Sequence, residues 1–335
     1  MSSPPATGHA RTAAASAREL LGVGALTNAS LTTWLHGLPG VDHVGADARA
    51  AGLGTRSIKT TAKAWAIDMA ISMIDLTTLE GADTEGKVRS LCAKAMTPDP
   101  GDPATPRVAA VCVYNDMVAV AVDALKGSNI RVAAVTTAFP SGRATMAVKL
   151  TDTRDALRAG ANEIDMVIDR GAFLSGRYLQ VFNEIAAIKD ACTRDAPDGA
   201  PAHLKVILET GELVTYDNVR RASWLAMLAG ANFIKTSTGK VSPASTAPVA
   251  MIMLEAARDW RDLTGTQIGV KAAGGIRTTK DAMKYLVMVN EIAGDDWIDP
   301  GWFRFGASGL LNDLLLQRQK LASGHYSGAD YVTID

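Results

Sequence analysis

Residues 232–240 read Asn-Phe-Ile-Lys-Thr-Ser-Thr-Gly-Lys, and residues 268–275 read Ile-Gly-Val-Lys-Ala-Ala-Gly-Gly. Each is a short apolar run that stops at a glycine turn and gives way to a longer amphipathic segment. Strands of a parallel sheet read this way, as continuous apolar stretches, because both of their faces are covered. The unit recurs along the chain. Strands are expected at 70–76, 108–114, 131–136, 163–168, 204–209, 233–236, 268–272 and 303–306. Helices are expected between them, at 84–95, 116–125, 144–158, 178–192, 217–228, 246–262 and 279–292. Several open at Asp, Ser or Thr, whose side-chain oxygen can accept from the free N–H groups of a first helical turn. Eight such strands point to an α/β fold, a (β/α)8 TIM barrel over residues 66–320, with a doubly wound open sheet as the alternative.

Of the 335 residues, 47% are hydrophobic and 21% charged, which excludes a wholly disordered chain. Lys and Arg number 34 against 35 Asp and Glu, a net charge of -1. No global field therefore draws the chain to nucleic acid or to an anionic membrane, and neither partner is expected. Any anionic ligand must be held by local groups. No apolar run approaches the roughly 20 residues that cross a bilayer. Cys92, Cys112 and Cys192 are too few and too scattered for a disulfide framework, so reduced thiols and a cytoplasmic location are expected. His9, His36, His43, His203 and His325 show no spacing that would place two ligands on one helix face, so neither a metal nor another cofactor is expected.

Residues 1–65 differ from the rest: Pro4-Pro5, an Ala/Ser/Arg stretch from Ala10 to Arg18, and no acidic residue before Glu19. The composition is that of a transit peptide without its cleavage site. An N-terminal extension, partly helical or disordered, is expected there, and residues 321–335 are expected as a C-terminal tail.

In a barrel the polar side chains at the C-terminal strand ends carry the chemistry. Lys235 and Lys271 each stand among apolar residues at such an end. An unpaired ammonium is expensive to bury, so one such lysine reads as half of a structural ion pair or as a chain reaching to solvent. Two on adjacent strands admit a second reading, because burial and a neighbouring cation both depress a lysine pKa. A neutral amine can attack a carbonyl and form a Schiff base, whose iminium nitrogen is an electron sink for making or breaking the adjacent carbon–carbon bond. Within Glu163-Ile164-Asp165-Met166-Val167-Ile168-Asp169, a period of two puts Glu163, Asp165, Val167 and Asp169 on one strand face. Asp165, the most enclosed, is either a structural partner of a lysine or a general acid/base.

Three small-residue turns follow the last strands: Thr238-Gly239-Lys240, Gly274-Gly275 and Gly306-Ala307-Ser308-Gly309. Main-chain N–H groups in such turns can approach anionic oxygens, and the region after barrel strands seven and eight is a frequent phosphate site. Lys240 and Arg277 can add charge. The same glycines would equally serve a bare turn. Residues 234–241 are not a P-loop, since Ile234 stands where its first glycine belongs and Val241 where Ser or Thr belongs. A nucleoside triphosphatase is excluded on that ground.

Taken in order, these segments resemble the deoxyribose-phosphate aldolase family. The resemblance runs from Asp68 to Leu316 and rests on the stretches 74–79, 112–114, 138–142, 163–167, 206–211, 233–240, 270–277 and 304–308. Its most specific part is Lys-Thr-Ser-Thr-Gly at 235–239 together with Lys-Ala-Ala-Gly-Gly at 271–275. The resemblance implies a metal-free enzyme that reversibly cleaves 2-deoxy-D-ribose 5-phosphate to D-glyceraldehyde 3-phosphate and acetaldehyde. It further implies that Lys235 is the Schiff-base lysine, Lys271 the neighbour that lowers its pKa, and Asp165 the proton-relay carboxylate. Asp75 and Thr77 would line the pocket near the sugar hydroxyl, with Cys112 close by. Gly239, Lys240, Gly274, Gly275, Arg277, Gly306 and Ser308 would surround the phosphate. A homo-oligomer, a dimer first, is also implied.

Two positions depart from the family pattern. Ala272 stands where proline is common, and Gly309 where many members carry a serine, which removes one hydroxyl contact to phosphate. In the tail, Tyr326 or Tyr331 would be the residue to fold over the site, as a C-terminal tyrosine does in some relatives. The competing readings are another Schiff-base aldolase or transaldolase acting on a larger sugar phosphate, and a phosphosugar-binding barrel without catalysis.

Overall fold

A computed structural model describes residues 12–196, 199–325 and 328. Tyr326 and Tyr331 lie outside the described residues. Four helices come first: α1 (Ala13–Leu21), α2 (Asn28–His36), α3 (His43–Leu53) and α4 (Thr60–Ser72). Eight strands follow: β1 (Asp75–Thr77), β2 (Ala110–Tyr114), β3 (Arg131–Thr136), β4 (Glu163–Val167), β5 (His203–Ile207), β6 (Phe233–Lys235), β7 (Gly269–Ala273) and β8 (Phe303–Gly306). Between and after them lie α5 (Glu85–Met96), α6 (Val118–Ala124), α7 (Met146–Arg158), α8 (Arg170–Leu174), α9 (Tyr178–Arg194), α10 (Tyr216–Leu228), α11 (Ala247–Thr264), α12 (Thr279–Ile292) and α13 (Ser308–Ser323).

The strands pair in parallel in the order β1 to β8, and an isolated parallel bridge between Ile74 and Phe305 joins the last strand to the first. The expected (β/α)8 barrel is what the chain forms. Helix starts follow local chemistry: Thr84, Thr215 and Thr278 each accept a backbone N–H at the head of α5, α10 and α12, and Asp281 completes a capping box on α12.

One strand lies elsewhere than expected. Residues 70–72 belong to α4, and β1 is limited to Asp75–Thr77. Ala66, Ile67, Ala70 and Ile71 are fully buried, at the spacing of one helical face. The apolar run that suggested a strand at 70–76 is the buried stripe of a helix leading into a short strand.

The residues before β1 share the barrel's core. Leu31, Leu35, Ala46 and Ala50 are buried in the same apolar cluster as Val111, Val206 and Ile234. The Asn28 side chain donates to Gly176 O at 2.9 Å, and Arg49 pairs with Glu255 at 2.5 Å, tying α2 and α3 to the outer helices. The chain is thus helical from Ala13, and α4 runs across residues 65 and 66 without a break.

Along each strand alternate residues face opposite sides. Ile164, Met166, Leu204, Val206, Ile234, Val270 and Ala272 face the helices and join the main apolar core. The other set turns inward. Cys112, Ala133 and Val135 form a small apolar cluster there with Leu79, while Asp75, Glu163, Asp165, Lys205, Lys235, Lys271 and Arg304 supply the charge. Gly269 makes room at the closed end, since a Cβ on it would lie 2.3 Å from the Phe233 ring. The Arg304 guanidinium sits 5.8 Å from the centre of that ring.

Candidate active site

Strand register brings the charged groups together. Lys235 on β6 is the Cα partner of Lys271 on β7, Lys271 of Arg304 on β8, and Asp165 on β4 of Lys205 on β5. Asp165 lies at the centre. Its Oδ2 accepts from Lys235 Nζ at 2.8 Å and from Lys271 Nζ at 2.9 Å, and its Oδ1 accepts from Lys205 Nζ at 2.8 Å. Lys271 Nζ is also 2.5 Å from Asp75 Oδ2. Lys205 reaches Glu163 at 2.5 Å and Asp75 at 3.7 Å. Arg304 closes the network, at 2.5 Å from Asp75 and 3.2 Å from Glu163. Within this network three carboxylates face four cations, all at most about 6% exposed.

The excess of one positive charge leaves the four cations unequally supported. Burial pushes the Asp165 carboxyl up, but Lys205, Lys235 and Lys271 together pull it well below its ordinary value. Asp75 and Glu163 are likewise held low, burial being outweighed by Lys271 and Arg304 for Asp75 and by Lys205 and Arg304 for Glu163. Burial acts on the cations too. For Lys271 it is overcome by Asp165 and Asp75, and for Lys205 by Asp165 and Glu163, so both stay above the usual lysine value. Lys235 alone among these lysines is shifted downward. Burial is the largest cause, Asp165 opposes it, and the charge of Lys271 adds to the lowering. Lys235 has one carboxylate at contact distance where Lys205 and Lys271 have two or more. With Lys235 neutral, three cations balance three anions. Burial, more than the neighbouring lysine, depresses this amine.

Lys235 also opens onto a cleft of about 360 Å³ at the C-terminal ends of the strands, lined by Thr77, Glu80, Thr238, Gly239, Lys240, Gly274, Gly306 and Ser308 among others. Asp75, Asp165 and Lys271 lie beneath it. Cys112 is fully buried beside Leu79, Ala133 and Val135, and burial raises its thiol above the usual value. Gly306 is required for close approach, because a Cβ there would stand 3.0 Å from Lys271 Cε and 2.8 Å from Ala273 Cβ. Lys240 Nζ pairs with Glu80 across the cleft at 2.8 Å. The Ser308 hydroxyl donates to Thr77 O at 2.6 Å and accepts from Thr77 N at 2.9 Å, so it ties the head of α13 to β1.

Two of the residues expected around a phosphate stand apart: Arg277 is exposed and outside this lining, and Gly275 borders a neighbouring hollow with Ser245 and Tyr285. A larger hollow of about 1410 Å³ lies at the opposite end of the barrel, lined by residues such as His203, Asn232, Ile268 and Trp302, where barrels do not place their chemistry. Among the described residues no group of three or more His, Cys, Asp or Glu is arranged to hold a metal ion, and no helix is long and apolar enough to cross a membrane.

The sequence reading passed over Lys205, Arg304 and Glu209. Lys205 and Arg304 carry the signal that marked Lys235, a cation inside an apolar strand. Glu209 carries no such mark in the sequence; the structure shows it fully buried, with its backbone at φ 53 and its carboxylate accepting from Thr238 N and Oγ1.

Residues 69–315 match a family model described as DeoC/LacD family aldolase. A deoxyribose-phosphate aldolase of Homo sapiens is 44% identical over 282 residues, covering 81% of this chain and 86% of its own length. The corresponding protein of Mus musculus is 43% identical over the same extent. Among solved structures, the tetrameric deoxyribose phosphate aldolase of Aeropyrum pernix superposes with a TM-score of 0.57 at 24% identity, over 82% of this chain and 98% of that one, a likeness of fold.

Proposed function

The chain belongs to the DeoC/LacD aldolase family, and on that premise we propose how its residues carry out the reaction. The activity is that of a deoxyribose-phosphate aldolase: reversible cleavage of 2-deoxy-D-ribose 5-phosphate to D-glyceraldehyde 3-phosphate and acetaldehyde. The observation that supports the site assignment is the buried Lys235 amine, shifted downward in a network with one cation too many and lining the cleft at the C-terminal strand ends.

The neutral Lys235 amine attacks C1 of the open-chain aldehyde, and loss of water gives the iminium. Asp165, through a water molecule, takes the C3 hydroxyl proton as the C2–C3 bond breaks, and the bond's electrons pass into the enamine. Glyceraldehyde 3-phosphate leaves. Protonation of the enamine at C2 gives the acetaldehyde iminium, which water hydrolyses. Lys271, held charged by Asp75 and Asp165, adds to the depression of the Lys235 pKa and keeps Asp165 oriented. Gly239, Lys240, Gly274, Gly306 and the head of α13 receive the phosphate, and this anchor fixes C1 against the amine. Phosphate displaces Glu80 from Lys240.

A metal-independent reaction, a cytoplasmic setting in deoxyribonucleotide catabolism and a homo-oligomer, a dimer first, complete the proposal. Three buried free cysteines favour the reducing setting. The test is reduction with borohydride in the presence of acetaldehyde and excess chelator, followed by peptide mapping. A reduced two-carbon adduct on Lys235 is expected, with none in Lys235→Met. Label on another lysine would refute the assignment, and a panel of longer sugar phosphates separates this activity from a transaldolase.

A further inference from the structure

Glu209 follows β5 at the rim of the barrel, and the reaction course above gives it no part. Few residues other than glycine occupy the left-handed region without a reason in the surrounding structure. Here the reason is visible in the side chain. Thr238 N donates to Oε1 at 3.2 Å, and Thr238 Oγ1 donates to Oε2 at 2.5 Å. Thr238 Oγ1 in turn accepts the backbone N–H of Lys240 at 3.1 Å. One carboxylate therefore braces the turn 238–240 from behind, through a relay that uses two of its three backbone donors. Gly239, between them at φ 82, has an N–H without an acceptor among the described residues, and open space lies beside its α-carbon. Thr238, Gly239 and Lys240 line the cleft, while Glu209 does not.

A negative charge behind a phosphate turn opposes the anion, so its use there must be geometric. Burial also pushes the Glu209 carboxyl up, which reduces that opposition. We propose that Glu209 is a positioning residue that aims the Gly239 N–H and the Lys240 side chain at the substrate phosphate, and thereby sets the preference for phosphorylated over unphosphorylated sugar. This rests on the assignment of the cleft to the phosphate end of the substrate.

The full chain is assayed for cleavage of 2-deoxyribose 5-phosphate and of 2-deoxyribose, and the ratio of the two kcat/KM values is the readout. Glu209→Ala lowers that ratio about tenfold, mainly through KM for the phosphorylated sugar, and weakens competitive inhibition by inorganic phosphate in proportion. Glu209→Gln, which keeps an acceptor for Thr238, restores most of it. A residue that only supported the fold would lower both kcat/KM values alike, so an unchanged ratio in folded Glu209→Ala overturns the proposal. If Glu209→Ala does not fold, Thr238→Val cuts the same relay at its hydroxyl and is read by the same ratio, with the same two outcomes. A wild-type chain without preference for the phosphorylated sugar would overturn the cleft assignment and this proposal with it; a wild-type preference that survives both variants overturns this proposal alone.

Discussion

At the scale of single residues, the chemistry turns on an imbalance of partners. Lys205 pairs with three carboxylates and Lys271 with two, whereas Lys235 pairs with Asp165 alone. Removing a partner from such a buried network costs more than the pair itself contributes, because the remaining charge has no water to turn to. Lys271→Leu should therefore destabilise the protein by about 3–5 kcal/mol, measured by denaturant unfolding. It should also move the acid limb of kcat/KM toward alkaline pH, since a cation that lowers the Lys235 pKa is gone. Burial is the larger cause of the lowering and stays in place, so the limb should remain below the ordinary lysine value. An unchanged limb in a folded, active variant would leave burial as the sole cause. Lys235, Lys271 and Asp165 were legible as chemistry because each is a charge set in an apolar strand. Lys205 and Arg304 were equally visible by that rule, and only register, which the sequence does not print, shows that they complete the same network. The order of causes was not legible either: two adjacent lysines suggested mutual repulsion, and the intervening carboxylate reduces it.

At the scale of elements, the strands were legible because a parallel strand covered on both faces is a plain apolar run. β3 and β8 fall at the limits read from the sequence. β1 does not, since a buried helix face running straight into a three-residue strand produces one unbroken apolar stretch. α8 and α13 were not foreseen. The length of β6 conceals its most demanding contact, the Phe233 ring lying against the backbone of Gly269. Gly269→Ala should overpack the closed end of the barrel and destabilise it by about 1–3 kcal/mol, with the Lys235 adduct still forming. Urea denaturation checks this. A variant as stable as the parent would mean that Phe233 can move aside without cost, and that the floor beneath Arg304 is not close-packed.

For the molecule as a whole, the barrel is a means of burying opposite charges in a fixed ratio, and the leading helices from Ala13 share its core rather than hanging from it. That sharing was illegible in the sequence, whose first 65 residues carry few marks of a stable fold by composition alone. The buried carboxylates make stability depend on pH with a definite sign. Asp75, Glu163 and Asp165 titrate below their ordinary values of 3.8, 4.5 and 3.8. Below about pH 4.5 the unfolded chain therefore binds protons that the folded chain does not, and folding stability falls as pH drops. Thermal melts should decline below about pH 4.5, less steeply in Glu163→Gln. An equal decline in the two proteins would remove Glu163 from the account. The most direct measurement is the initial rate at which acetaldehyde forms a borohydride-trappable imine on Lys235, followed across pH. The rate should rise and level off with an apparent pKa clearly below the ordinary lysine value of 10.5. A rate at Lys235 still climbing at that value would contradict the claim that burial and an unequal share of carboxylates lower the pKa of this amine.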